Sequence, residues 1–180
     1  MKVDHERLFF ALWPSDAWQE ACQAQATKRL PRATGRWIPQ QNLHVTLAFL
    51  GAVSGTQRIC LERAADQIAA EAFTLAFERL DYRSRNRIVW ASTQQIPPAL
   101  IRLVDQLRAL LPGCGLSAES RVFTPHLTLL RKADRVETGS SAAIPPWPVT
   151  SFSLVRSQTL PSGALYETLR SWPLRSPAEH

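Results

Sequence analysis

Residues 42–51 read NLHVTLAFLG, and residues 124–133 read TPHLTLLRKA. Each holds a His, an apolar residue, a Thr and a Leu, so His-x-Thr-Leu occurs once in either half of the chain. Of the 4 His in the sequence, His44 and His126 open this pattern. Template counting makes that roughly a one-in-a-few-thousand coincidence. On an extended strand the side chains alternate between faces. That parity groups His44 with Thr46 and His126 with Thr128. It turns Val45, Leu47 and Phe49, and likewise Leu127 and Leu129, toward a core. If the two strands lie near each other, two imidazoles and two hydroxyls meet in one cleft.

Such a set suits phosphodiester chemistry. One neutral His takes a proton from the nucleophile, and the other, protonated, gives one to the leaving oxygen. Imidazole occupies either role near neutral pH. The Thr46 and Thr128 hydroxyls can donate to the non-bridging phosphate oxygens as charge builds up. Arg131 follows the second motif, and its guanidinium fits a phosphate bidentately. Ideal alternation puts Arg131 on the core face, so it must reach the site from a strand end or a twist. A single His-x-Thr on a strand is ordinarily a satisfied His beside a strand former; the repetition is what carries weight. Two His, with no Asp or Glu in either motif, do not make a zinc site. No metal and no cofactor is expected.

The chain's 180 residues suit one domain, 45% hydrophobic and 20% charged. Residues 1–175 are expected to form it, with 176–180 a flexible tail. The net charge is +6. Lys2, Lys28 and Lys132 are the only lysines, so the basic surface is made of Arg, the better phosphate donor. A phosphate-bearing partner fits this charge, and so does a merely soluble basic surface. Cys22, Cys60 and Cys114 are odd in number and lack C-x-x-C spacing. This argues against a disulfide framework and favours small core thiols at Cys22 and Cys60. No stretch reads as a signal peptide or a membrane span, which makes the cytoplasm the expected location.

Along the chain, RLFFALWP (7–14) reads as a buried strand ended by Pro14. A helix capped by Ser15 or Asp16 runs to Pro31. Residues 31–41 read as a loop, LHVTLAFLG as a strand, and 54–72 as a helix with Ile59, Leu61, Ala65, Ile68 and Ala69 as its apolar positions. FTLAFERLDYR and RIVWAST read as strands joined by a turn at SRN. PPALIRLVDQLRALLPG is a helix with Ile101, Val104, Leu107 and Leu111 as its stripe. HLTLLR is a strand, IPPWP a connector, and VTSFSLVRSQTL with ALYETLRSW a closing hairpin. This irregular order favours α+β with mostly antiparallel strands, in two similar lobes. His5 and His180 read as solvated. DYRSRNR (81–87), with Arg83, Arg85 and Arg87 beside Tyr82 and Trp90, reads either as an RNA-facing ridge or as a solvated hairpin. Trp37, Trp147 and Phe49 are candidates to stack on a base, and Arg36 and Trp37 border the loop entering the first motif.

The paired His-x-Thr motifs, with RLFFALWP, NLHVTLAFLG, SRNRIVWAS and FTPHLTLLRKA in this order, resemble the two-histidine phosphoesterase superfamily. Within it the chain looks like the bacterial RNA 2′,3′-cyclic phosphodiesterases, the 2′-5′ RNA ligase-like family. The resemblance runs from Arg7 to about Trp172 and is weakest over 134–148. It implies a bilobal two-histidine phosphoesterase fold, with two pseudo-symmetric lobes and outer helices around a central cleft. It implies metal-independent hydrolysis of a 2′,3′-cyclic phosphate end to a 2′-phosphate. Matched to the family's motifs, His44 is the proton donor and His126 the proton acceptor, with Thr46, Thr128 and Arg131 binding phosphate. The partners it implies are RNA ends or cyclic nucleotides, including tRNA halves, bound by a monomer. A reversible 2′-5′ RNA ligase and a catalytically silent RNA-end-binding module remain the competing readings.

Overall fold

A computed structural model describes residues 5–134, 136, 141–161 and 163–176. The expected tail, His180 included, lies outside these residues except for Ser176. The chain runs β1 (His5–Leu12), α1 (Asp16–Arg29), β2 (Arg36–Trp37), β3 (Val45–Ser54), α2 (Gly55–Ala65), β4 (Phe73–Leu75) and β5 (Arg79–Arg83). It continues through β6 (Ile88–Ser92), α3 (Pro98–Leu110), β7 (His126–Arg131), β8 (Trp147–Val149), β9 (Ser151–Leu160) and β10 (Gly163–Pro173). One sheet has the order β10-β9-β1-β3 and a second the order β2-β7-β6-β5, while β4 and β8 form a small third sheet. Every strand pair within them is antiparallel. The fold is α+β and bilobal, with one motif strand in each large sheet.

Local chemistry sets the elements. The Ser15 hydroxyl accepts from the Trp18 amide and starts α1. Ser54 and Gln57 form a reciprocal capping box that turns β3 directly into α2. Leu8, Phe10 and Leu12 of β1, Leu100, Leu103 and Leu107 of α3, and Leu127 and Leu130 of β7 belong to one buried cluster shared by both lobes.

Both motif strands bulge at the same place. Along β3, Thr46 faces Ala11 and Ala48 faces Phe10, leaving Leu47 as an extra residue. Along β7, Thr128 faces Trp90 and Leu130 faces Val89, leaving Leu129 as an extra residue. Leu47 and Leu129 are the Leu of the two tetrads, and both are buried. An inserted residue resets the alternation of faces beyond it. β3 has a second irregularity, where Phe9 faces Phe49 and Leu8 faces Gly51. Gly51 there takes φ 72°, the left-handed region.

Several expectations need correction. The helix from residue 54 stops at Ala65, because the Asp66 carboxylate is held by Arg170 and Trp172 of β10, and Ala70 accepts from Arg175. FTLAFERLDYR is two strands in two sheets, β4 pairing with β8 and β5 with β6. IPPWP therefore contributes β8, and the loop over 31–41 contains β2, zipped onto β7. Ile59 and Ile101 are exposed, not core. Cys60 and Cys114 form a disulfide: packing of α2 against the turn after α3 brings their Cα atoms to 5.6 Å, which spacing along the chain does not reveal. Cys22 stays a free, buried thiol, and burial pushes it up to about 12.

Gly51→Ala is expected to lower stability by about 1–2 kcal/mol, the cost of a Cβ in the left-handed region. No heavy atom beyond the chain neighbours lies within 4 Å of that Cβ, so no clash adds to the backbone strain. Denaturant melts of the two proteins measure it.

Candidate active site

A cavity of about 500 Å³ lies between the two large sheets. His44, Thr46, His126, Thr128 and Arg131 all line it, as do Phe49, Arg36 and Trp37. The cleft thus gathers the His, Thr and Arg of the two motifs with Phe49, Arg36 and Trp37. Trp147, the remaining stacking candidate, is buried in β8 against Trp18 and does not reach it.

The bulges explain how two of these residues arrive. Leu129 is the extra residue, so Arg131 returns to the face of His126 and Thr128 instead of pointing into the core. Phe49 was expected on the core side of β3. It is 55% exposed and lines the cleft, because the extra Leu47 moves it back to the side of Thr46. Arg131 and Phe49 hold equivalent places, each three positions past a motif Thr.

The two imidazoles are held alike. His44 Nδ1 lies 2.6 Å from the Asn42 carbonyl oxygen, and His126 Nδ1 lies 3.0 Å from the Thr124 carbonyl oxygen. A carbonyl only accepts, so each Nδ1 carries the hydrogen and donates it. Each Nε2 is left with no protein hydrogen bond among the described residues, ready to accept a proton when neutral or give one when charged.

Their surroundings differ. The Trp13 ring stacks on His44 at 4.8 Å with 2° between planes. Phe9 lies at 5.3 Å and Tyr166 edge-on at 5.1 Å. Burial in this aromatic box disfavours the imidazolium and pulls His44 down to about 4. The Asn42 carbonyl opposes that shift, while the charges of His126 and Arg131 add to it. His126 is exposed.

The cleft is built for an anion. Arg7, Arg36 and Arg131 line it, with no carboxylate among its lining residues. Arg36 faces Arg131 across β2 and β7. Elsewhere arginines are neutralised: Glu6 holds Arg58 and Arg156, Asp134 holds Arg87, and Glu71 holds Arg102. Among the described residues, none of the arginines in ion pairs lines the cleft. Among the described residues, no group of three or more His, Cys, Asp or Glu is placed to hold a metal ion.

The aromatic box was missed from the sequence. RLFFALWP reads as a strand buried on both faces, and so it is: Phe9 and Ala11 face away from the main core into a second small cluster with Val155. The signal was there in Phe9 and Trp13, which alternate with Leu8, Phe10 and Leu12. A strand apolar on both sides needs something covering each, and here one cover is a catalytic candidate's ring.

The family model for the 2′-5′ RNA ligase superfamily matches residues 13–159. The chain belongs to this superfamily. It is 36% identical over 176 residues to the RNA 2′,3′-cyclic phosphodiesterase of Escherichia coli, covering 94% of this chain and 97% of that protein. The enzyme of the same name from Thermus thermophilus is 27% identical, covering 94% and 90%. In structure the chain superposes on apo E. coli LigT with a TM-score of 0.86, at 33% identity, covering 96% of this chain and 99% of LigT. It also matches LigT complexed with 3′-AMP, at TM-score 0.84 and 34% identity, covering 95% and 98%.

An NMR titration of the free protein is expected to show the His44 ring protonating near pH 4, well below the ordinary 6.5. Since burial lowers the value, Trp13→Ala, which opens the box, should raise it. A wild-type midpoint at 6.5 would contradict the desolvation argument.

Proposed function

We propose that this chain hydrolyses RNA 2′,3′-cyclic phosphate ends to 2′-phosphate ends by paired histidine acid–base catalysis. The observation that carries the proposal is the matched pair of imidazoles. Each is fixed through Nδ1 to the backbone carbonyl two residues back, and both open on one carboxylate-free cleft with Arg131 and two threonines.

The chemistry runs in line. His126 Nε2 takes a proton from water as the water oxygen bonds to phosphorus. The bond from phosphorus to the 3′ oxygen breaks, and His44 Nε2 gives its proton to that oxygen. The products are a 2′-phosphate and a 3′-hydroxyl. The Thr46 and Thr128 hydroxyls and the Arg131 guanidinium stabilise the charge on the non-bridging oxygens. His44 is neutral in the free protein, so it acts as the acid once the bound phosphate anion favours its charged form. An imidazolium with a low intrinsic value is also the stronger acid when it meets the leaving oxygen.

The assignment of donor and acceptor follows the family's motif order, and the burial contrast between the two rings is compatible with it. RNA ends and cyclic nucleotides are the proposed substrates, tRNA halves among them. The same reading takes residues 1–175 as one domain, acting as a cytoplasmic monomer without metal or cofactor; a core cluster shared by both lobes supports the single domain.

Assay with a nucleoside 2′,3′-cyclic phosphate tests the proposal. His44→Ala and His126→Ala are each expected to lower kcat by about 10²–10⁴ with circular dichroism unchanged. Near-normal turnover in either variant would sink the mechanism. Arg131→Ala removes a charge-assisted contact of about 1.5–3 kcal/mol, which is expected to raise KM by about 10- to 100-fold. Unchanged KM and kcat would take Arg131 out of the site.

A further inference from the structure

Past His126 the cleft continues. A second arm of about 420 Å³ shares Thr46, Thr128 and Arg131 with the first arm but does not reach His44. One nucleoside cyclic phosphate does not need it, since the first arm already lies within the ~300–1,000 Å³ usual for a small-molecule site.

Two kinds of group form the walls. Arg83 of β5, Arg108 of α3 and Arg121 of the segment before β7 join Arg131 there, against one carboxylate, Glu119. Among the described residues, none of these arginines is held in an ion pair. The other group is Trp90, which faces Thr128 across β6 and β7 and carries the Arg83 guanidinium 5.6 Å from its ring centroid. In the same hairpin Arg79 pairs with Asp81. Arg87 goes further into a structural role, donating to Asp134 and to the Ala133 carbonyl from a left-handed backbone at φ 53°. Of the three-arginine ridge, Arg83 alone lines the arm. A flat aromatic–guanidinium pair beside a row of cations is the composition that holds single-stranded nucleic acid.

We infer that the second arm binds the single-stranded RNA that continues from the reacting end. A base stacks on the Trp90–Arg83 pair, and phosphates lie on Arg108 and Arg121. This rests on the proposed function. Hydrolysis consumes one RNA, and the strand already tethered to the bound end reaches the arm at high effective concentration.

The test compares a nucleoside 2′,3′-cyclic phosphate with a short oligoribonucleotide ending in the same cyclic phosphate. Wild-type protein is expected to show the lower KM for the oligonucleotide. Trp90→Ala should raise that KM about 5- to 100-fold and leave kcat/KM for the mononucleotide unchanged, while Trp90→Phe keeps most of the preference. Arg83→Ala and Arg121→Ala should each flatten the dependence of log KM on log salt by about 0.7, for the oligonucleotide only. The inference is overturned if Trp90→Ala shifts both substrates equally or neither. It is also overturned if Trp90 matters only for binding a separate 5′-hydroxyl oligonucleotide, which would make a second RNA the occupant. Wild-type protein that turns over neither substrate would refute the proposed function itself. Turnover of both with silent arm variants would refute this inference alone.

Discussion

One extra residue in each motif strand governs the site. A strand that alternates without interruption would send Arg131 and Phe49 into the core with the leucines. Leu47 and Leu129 each add a residue to the core side, and the strand resumes with its polar face restored. This is the structural meaning of the Leu in His-x-Thr-Leu. It is the residue whose burial holds the bulge, and the bulge brings the third cleft side chain alongside His and Thr. Both lobes use it, so the cleft has the same construction on either wall.

On that shared frame the two lobes make different environments. Both imidazoles donate through Nδ1 to a carbonyl two residues earlier, and both leave Nε2 without a protein hydrogen bond among the described residues. One ring sits in a box of Phe9, Trp13 and Tyr166, the other faces solvent. The lobes thus share a frame and differ in what covers the ring. The charge pattern has the same logic. Carboxylates pin arginines on the outer surfaces, while no carboxylate lines the cleft beside Arg7, Arg36 and Arg131.

The expectations that failed did so for nameable reasons. The Cys60–Cys114 bond depends on α2 packing against the turn after α3, and an odd count of thiols says nothing about that approach. The split of FTLAFERLDYR depends on β8, a partner supplied from a proline-rich stretch that gave no strand signal. The exposure of Ile59 and Ile101 depends on which helix face meets the sheets. Trp147 and Trp37 were both stacking candidates, with Trp37 favoured by its place beside the first motif; Trp147 is core and Trp37 lines the cleft.

From its residues alone the chain declares its α+β class, most of its elements, and the His, Thr and Arg that meet in the cleft. These follow from period, caps and a repeated motif, which are local properties written in adjacent residues. Tertiary structure alone decided the bulges that re-aim Arg131 and Phe49, the aromatic box that lowers His44, and the second arm lined by Trp90 and Arg83. Each of these is a relation between residues far apart in the chain. Burial, register and desolvation exist only once β1, β3, β6 and β7 have closed around the same space.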